Sequence, residues 1–369
     1  MSAPTANDRI VLGMSGGVDS SVAALLLKRE GYDVQGLFMV NWEEDEEAYC
    51  TAAADFQDAR AVCDELDIPL HRVNFAREYR ERVFQYFLDE YEAGRTPNPD
   101  VLCNREIKFG VFKQYARRLG GRYIATGHYA RSRYEDGLWS LLKAKDASKD
   151  QTYFLAAVDQ QGLADSLFPL GDMHKSEVRE QALAAGLDVF RKKDSTGICF
   201  IGERDFADFL GQFLPASPGE IQSTDGAVLG EHRGLMFYTL GQRQGLGIGG
   251  LPGAPDAPWY VVDKDLKANV LVVAQGHDHP ALMSAAATVT DLNWIAGAPP
   301  AAALDCTVKV RYRQADQPCH VELDSHGSAI ARFVTPQRAV TPGQFAVFYA
   351  GEVCLGGGVI SERHGVADA

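Results

Sequence analysis

A buried strand, a turn of hydroxyls and glycines, and a helix follow one another within residues 9–30, and few folds accept that order. Arg9-Ile10-Val11-Leu12-Gly13-Met14 reads as a short strand, and Val22 to Glu30 as a helix stopped by Gly31. Between them stands Ser15-Gly16-Gly17-Val18-Asp19-Ser20-Ser21. Two glycines at such a junction permit backbone conformations and close approaches that a side chain forbids. Hydroxyls and backbone N–H groups then sit at a helix N-terminus, where the dipole favours an anion. The turn predicts a phosphate site. It is not a Walker loop, because no Gly-Lys-Ser/Thr follows and no lysine within it neutralises the terminal phosphates.

The alternation continues. Val34–Val40 reads as a second strand, and a helix from about Thr51 to Leu66 places Phe56, Ala59, Val62, Cys63 and Leu66 on one face. A third strand covers Leu70–Val73, helices lie around Arg77–Glu92 and Ile107–Leu119, and Tyr123–Thr126 is another buried strand ended by Gly127. This rhythm predicts an α/β fold, with a doubly wound parallel-sheet domain over residues 1–205. Ligands of such sheets gather beyond the carboxyl ends of the strands, which here means Met14, Met39 and Gly127. A hairpin turns at Asp136-Gly137, and a helix around Lys175–Ala185 ends at Gly186. After about Arg204 the helix signals fade. Residues 206–280 read as a small, mostly-β central domain, and 281–369 as a C-terminal antiparallel β-barrel that includes a strand through Thr307–Arg313.

At 369 residues the chain is long for one core, and two or three domains are expected. The N-terminus has neither a basic nor an apolar signal region, and no apolar run approaches the roughly 18 residues of a membrane span. A cytoplasmic location without membrane contact is expected. The net charge of −14 is awkward for a nucleic-acid enzyme. Between Arg105 and Gln151, however, eleven basic residues oppose five acidic ones. That stretch is either a local RNA footprint or a set of solvated helix and hairpin faces. Arg311-Tyr312-Arg313 combines charge with aromatic stacking, which suits RNA and equally suits an exposed edge strand.

The seven cysteines are odd in number and contain no Cys-x-x-Cys, so a disulfide framework or zinc knuckle is not expected. Cys63 is most simply a core residue. Cys103 follows the proline-braced Thr96-Pro97-Asn98-Pro99-Asp100 and is expected at the mouth of the next helix, where the dipole and Arg105 favour its thiolate. Asp100 is a candidate proton-transfer group or a helix cap. Cys199 lies in the apolar Ser195-Thr196-Gly197-Ile198-Cys199-Phe200-Ile201-Gly202, where an ordinary buried thiol is the simplest reading.

The loop at Ser15–Ser21 resembles the SGGxDSS loop of the N-type ATP pyrophosphatase superfamily. Taken with Asn98-Pro99-Asp100 ahead of Cys103, Thr126-Gly127-His128-Tyr129, Lys149-Asp150-Gln151, Gly197–Gly202, Leu240-Gly241-Gln242-Arg243 and Val310-Arg311-Tyr312-Arg313, nearly the whole chain is similar to the bacterial tRNA-specific 2-thiouridylases. That resemblance implies ATP, with Mg²⁺ whose ligands stay unassigned, and replacement of the C2 oxygen of the wobble uridine in tRNAs for Lys, Glu and Gln. It implies nucleotide contacts from Gly13, Met14, Ser15, Gly16, Gly17, Val18, Asp19, Ser20, Met39 and Gly127. It implies a persulfide on Cys199 received from a sulfur-relay donor protein, with Cys103 as the second catalytic cysteine and Asp100 as the acid/base candidate. The target base would meet Asn98, Pro99 and Asp100, and the anticodon stem-loop would meet His128, Lys149, Asp150, Gln151, Arg311, Tyr312 and Gln344. An amide-forming synthetase of the same superfamily and an ATP-gated RNA-binding protein are the competing readings.

Overall fold

A computed structural model describes residues 5, 6, 8–42, 46–193, 206–248 and 257–366. Its first sheet is parallel and built from β1 (Arg9–Gly13), β2 (Asp33–Val40), β3 (Leu70–Asn74) and β4 (Tyr123–Ala125), in the order β3-β2-β1-β4. Ile10, Val11 and Leu12 are fully buried, as a strand covered on both faces requires. Helix α1 (Val18–Arg29) starts earlier than its apolar periodicity predicts. Gly17 is its N-cap, and the Ser20 and Ser21 hydroxyls donate to Gly17 O at 3.1 and 2.8 Å, so polar residues fit the first turn. Helix α2 (Glu46–Glu65) likewise begins earlier than its apolar face predicts.

Two further helices carry π-helical segments. One runs Ala76–Tyr79, Arg80–Phe84 and Gln85–Glu92; the other runs Pro99–Leu102, Cys103–Val111 and Phe112–Arg118. The second corrects the sequence expectation. The helix opens at Pro99, not near Ile107, so Cys103 lies within it and not at its mouth.

The hairpin β5 (Ala130–Glu135) and β6 (Leu138–Lys143) turns at Asp136 and Gly137, both at positive φ. It leaves the first sheet altogether, while β7 (Ser166–Leu167) extends that sheet beside β4. A central four-stranded sheet joins β8 (Gly219–Ser223), β9 (Val228–His232), β10 (Trp259–Asp265) and β11 (Val270–Gln275) in the order β10-β11-β8-β9. The last strands are β12 (Met283–Trp294), β13 (Ala303–Lys309), β14 (Gln317–Leu323), β15 (Ala329–Arg338), β16 (Phe345–Ala350) and β17 (Val353–Gly365). They form an antiparallel barrel closed by β12 against β17. The hairpin adds to its outside, with Leu142 opposite Val353 and Leu141 opposite Cys354. The barrel and the first domain therefore share one continuous sheet. Among the described residues, no helix is long and apolar enough to cross a membrane.

Candidate active site

The turn after β1 is a pre-formed cradle. Ser15 N donates to Ser20 Oγ at 3.2 Å, and the two hydroxyls lie 3.1 Å apart. Gly16 sits at φ +75, where a Cβ would stand 2.1 Å from the Asp55 carbonyl oxygen of α2. Gly127, at the end of β4, also packs against the turn: a Cβ there would lie 2.9 Å from Ser20 N. No side chain caps α1, so its first N–H groups face the cradle. Met14 is buried beneath it and Met39 is half-buried at the end of β2.

The lysine that the loop lacks comes from far away in the chain. Lys175 Nζ donates to both Asp19 oxygens at 2.8 Å, beside the Tyr129 hydroxyl, which also donates to Asp19 at 2.8 Å. Lys192 Nζ donates to Gly16 O at 3.0 Å and pairs with Asp55 and Asp58. Neither lysine carries any local signal, since each belongs to a segment more than 150 residues from its partner in the turn.

The second half of the site is the helix from Pro99. Asn98 caps it, accepting from Val101 N at 3.4 Å with Pro99 at the first helical position, and its side chain also reaches the Tyr153 hydroxyl. The cap is thus Asn98, and the half-buried Asp100 carboxyl is left for other work. Burial pushes Asp100 above the usual carboxylate range, opposed by the Lys108 charge. Cys103 is 2% exposed. Beside it, Asn104 donates to Phe154 O at 3.0 Å, while its Oδ1 is buried without a partner among the described residues. Cys199 and the rest of 194–205 lie outside the described residues.

One residue pair joins the two halves. His128 follows Gly127, is buried, and stands 3.5 Å from Lys108 Nζ through Nε2 and 2.8 Å from Thr126 Oγ1 through Nδ1. Burial, reinforced by Lys108, drives its pKa well below the ordinary value, so the ring is neutral. With Nε2 facing an ammonium donor, the proton belongs on Nδ1, donated to Thr126. Phe112, on the Cys103 helix, also approaches Gly13.

Both β modules hold the loop ahead of Asn98. Gln344 Nε2, from the barrel, donates to Thr96 O at 2.8 Å and Pro97 O at 3.1 Å, and Thr96 N donates to Pro342 O at 2.9 Å. From the central sheet, Lys264 Nζ donates to Gly94 O at 3.0 Å and Thr239 Oγ1 meets Thr96 Oγ1 at 3.2 Å. Burial pulls the Lys264 amine down to about 8.

Other residues singled out in the sequence face inward. The Asp150 carboxylate accepts from Ala144 N at 3.1 Å and from the Thr152 hydroxyl, with Lys309 Nζ at 3.7 Å. Gln151 pairs both ways with the Tyr129 backbone, and half-buried Lys149 donates its N–H to Asp146 O. Thr307–Arg313 is not a strand throughout, because β13 ends at Lys309. Arg311 instead donates to Leu240 O, Ala339 O and Thr341 Oγ1 at 3.1, 3.1 and 2.9 Å, and Tyr312 packs on Phe154 at 4.3 Å between centroids. Arg311 is no exposed edge charge. Much of the basic stretch is internally compensated: Lys113 and Arg117 pair with Asp165, Arg122 with Asp8, Arg131 with Glu352, Lys143 with Asp316 and Lys145 with Glu177.

A parallel-sheet domain with a glycine-and-hydroxyl turn after its first strand, a buried thiol on the helix whose Phe112 approaches that turn, and two β modules closing over one loop define an α/β nucleotide-binding enzyme. Comparison with known families agrees. Residues 8–203 match a tRNA methyl transferase HUP domain, 207–275 a tRNA methyl transferase PRC-barrel domain, and 284–360 an aminomethyltransferase beta-barrel domain. Over its length the chain is similar to the tRNA-specific 2-thiouridylase MnmA of Chromohalobacter salexigens, with 60% identity over 95% of this chain and 92% of the relative. The protein of that name from Stutzerimonas stutzeri is 59% identical over 98% of this chain and 96% of its own length. The one from Francisella philomiragia is 57% identical over 96% and 99%. The chain belongs to the tRNA-specific 2-thiouridylase family and is a tRNA sulfurtransferase.

Proposed function

We propose that the chain replaces the C2 oxygen of the wobble uridine with sulfur in tRNAs for Lys, Glu and Gln, at the expense of ATP. The observation that carries this reading is the bridge at the end of β4. Gly127 packs on the phosphate cradle while His128 contacts Lys108 on the helix of Asp100 and Cys103. A triphosphate in the cradle and a base beside Asn98–Asp100 would then be neighbours.

The cradle N–H groups, Ser15 and Ser20 fit a diphosphate, and Lys175 and Lys192 are the cations beside the turn, which would have to swing to the phosphates from Asp19 and from Asp55 and Asp58; Mg²⁺ enters the proposal with the triphosphate. ATP supplies an adenylyl group that makes the C2 oxygen a leaving group, diphosphate departing as the ester forms. The terminal sulfur of a Cys199 persulfide, loaded by a relay protein, attacks C2 and AMP leaves. The Cys103 thiolate then attacks Cys199 Sγ; the bond to the transferred sulfur breaks, a Cys103–Cys199 disulfide forms, and thiolated tRNA is freed. The wobble base lies in a single-stranded loop, so splaying it costs little. The raised Asp100 carboxyl, near Lys108, is placed to move a proton at the base.

The deciding experiment is nucleoside analysis of tRNA from a strain lacking this protein. Wobble 2-thiouridine should vanish and return on complementation; its persistence would overturn the reading. AMP release driven by ammonia or glutamine in place of unmodified tRNA would favour an amide-forming synthetase instead.

Two further outcomes are expected. Lys175→Met leaves Asp19 with the Tyr129 hydroxyl alone, and should raise the ATP concentration for half-maximal AMP release by roughly tenfold, as loss of a charge-assisted contact does. An unchanged ATP dependence would remove Lys175 from the site. Gln344→Ala should lower kcat for thiolation by about tenfold while leaving ATP affinity intact, because it frees the loop that presents Asn98 without touching the cradle. A change confined to tRNA affinity would instead make Gln344 a direct RNA contact.

A further inference from the structure

Cys306 on β13 and Cys319 on β14 are directly opposite one another in the antiparallel ladder. Their sulfurs lie 3.6 Å apart, within reach of a bond after small rotations of the two side chains. The other thiols described are different. Cys63 and Cys354 are about 1% exposed, and burial pushes each up to about 12, which leaves them inert. Cys306 is half-buried and so open to small reagents, while Cys319 is 3% exposed behind it. Either sulfur can donate in the contact between them; with the buried Cys319 as donor, Cys306 is held below its ordinary value against burial and the neighbouring Asp305 charge, and Cys319 is pushed up. Cys306, the sulfur a reagent can reach, is the attacking member and Cys319, buried against it, the reserve thiol, the arrangement of an oxidisable pair.

The position of the pair in the fold gives it a consequence. β13 and β14 are joined by residues 310–316, which carry Arg311, Tyr312 and Asp316. Cys306 and Cys319 stand at the foot of this hairpin, outside the cradle, the Asn98 loop and the Cys103 helix. A bond between them would pin the hairpin below the loop that bonds Leu240, Ala339 and Thr341 through Arg311.

We propose that Cys306 and Cys319 form a dithiol modification site on the barrel, closed to a disulfide by a hydroperoxide. The Cys306 thiolate attacks one peroxide oxygen; the O–O bond breaks, hydroxide leaves and takes up a proton, and Cys306 becomes a sulfenic acid. Cys319 sulfur attacks Cys306 sulfur as its own proton is lost; the S–O bond breaks, water leaves, and the S–S bond forms. Two electrons pass from the thiols to the peroxide, yielding two waters per H₂O₂. A dithiol reductant reverses the closure. The site itself is independent of the thiolation reading; only its effect on tRNA rests on that reading.

The test treats the reduced full-length protein with hydrogen peroxide, alkylates without reduction, and maps peptides by mass spectrometry. A cross-linked pair holding Cys306 and Cys319, two hydrogens lighter than the reduced peptides, should form at least tenfold faster than any change at Cys63 or Cys354. It should vanish in Cys306→Ser and open again with dithiothreitol. Recovery of both cysteines alkylated, or of Cys306 as sulfinic acid beside an alkylated Cys319, would overturn the proposal. Circular dichroism of Cys306→Ser and Cys319→Ala guards against misfolding, and Cys319→Ala should trap Cys306 sulfenic acid detectable with a dimedone probe. Oxidised protein and Cys306→Ser are then compared for tRNA affinity in a Cys103→Ser background. A cross-link that forms while tRNA affinity is unchanged leaves the dithiol site standing and counts against Arg311–Tyr312 as an RNA contact.

Discussion

Replacing Cys103 with serine is expected to reduce multiple-turnover thiolation by at least about a thousandfold while the protein stays folded and still binds ATP, since a hydroxyl cannot stand in for a nucleophilic thiolate. The side chain is 2% exposed on a helix whose cap, Asn98, does not involve it. Serine is close in shape, so the apolar packing by Val101, Leu102, Ile107 and Phe112 persists, and burying its hydroxyl there should cost about 1–3 kcal/mol of stability. The loss is chemical. An alcohol is not ionised at neutral pH and cannot form the proposed disulfide with Cys199 that frees the transferred sulfur. Burial would ordinarily make a thiol sluggish, so the proposed role requires Cys103 to become more accessible when tRNA enters, and tRNA-dependent alkylation of Cys103 is the corollary. Purified Cys103→Ser should retain ATP affinity within about twofold of the parent, because no cradle residue is altered. Thiolation above a tenth of the parent rate would sink the proposed role.

Some of this site is legible in the sequence, and the reasons for the rest are physical. The cradle could be read because its determinants are local: an uninterrupted apolar strand, two glycines, hydroxyls and a helix lie within two dozen residues. The hairpin at Asp136-Gly137 was equally plain, yet its attachment to the barrel was not, because a two-residue pairing with β17 is decided by tertiary packing. The helix start at Pro99 carried a signature, Asn at the cap and Pro at the next position, that the apolar periodicity from Ile107 onward overshadowed. The π-helical turn at Cys103–Val111 then shifts the phase of the following residues, which a constant 3.6-residue period cannot reveal. Thr307–Val310 looks like the start of a longer strand. The ladder stops at Lys309, whose amine turns towards Asp150 and Asp316, and Arg311 spends its donors on loop carbonyls. Lys175 and Lys192 reach the cradle across 156 and 176 residues, and no pattern in their own segments marks them.

Gly16→Ala should destabilise the first domain and abolish ATP binding, whereas Gly17→Ala, one residue on, should do far less. Position 16 combines two penalties. Its φ of +75 is left-handed, which costs an L-residue roughly 1–2 kcal/mol. Its Cβ would also stand 2.1 Å from the Asp55 carbonyl oxygen, a backbone atom in the middle of α2 that cannot swing aside. Either the turn or the helix must move, and accommodating such a clash adds about 1–3 kcal/mol. The displacement falls on a stitched region, because Asp55 pairs with Lys192, which in turn donates to Gly16 O. Pushing α2 away therefore opens the cradle and withdraws its second lysine together. Gly17 is extended at φ −96 and ψ 164, and its Cβ would meet only Ser15 Oγ at 3.5 Å, an ordinary contact. At the N-cap that exchange costs up to about 1 kcal/mol. In urea, Gly16→Ala should lower the first unfolding midpoint clearly below that of Gly17→Ala, and ATP should no longer raise it. Equal midpoints, or ATP protection retained in Gly16→Ala, would show that the turn does not depend on this close approach and that the phosphates are held elsewhere.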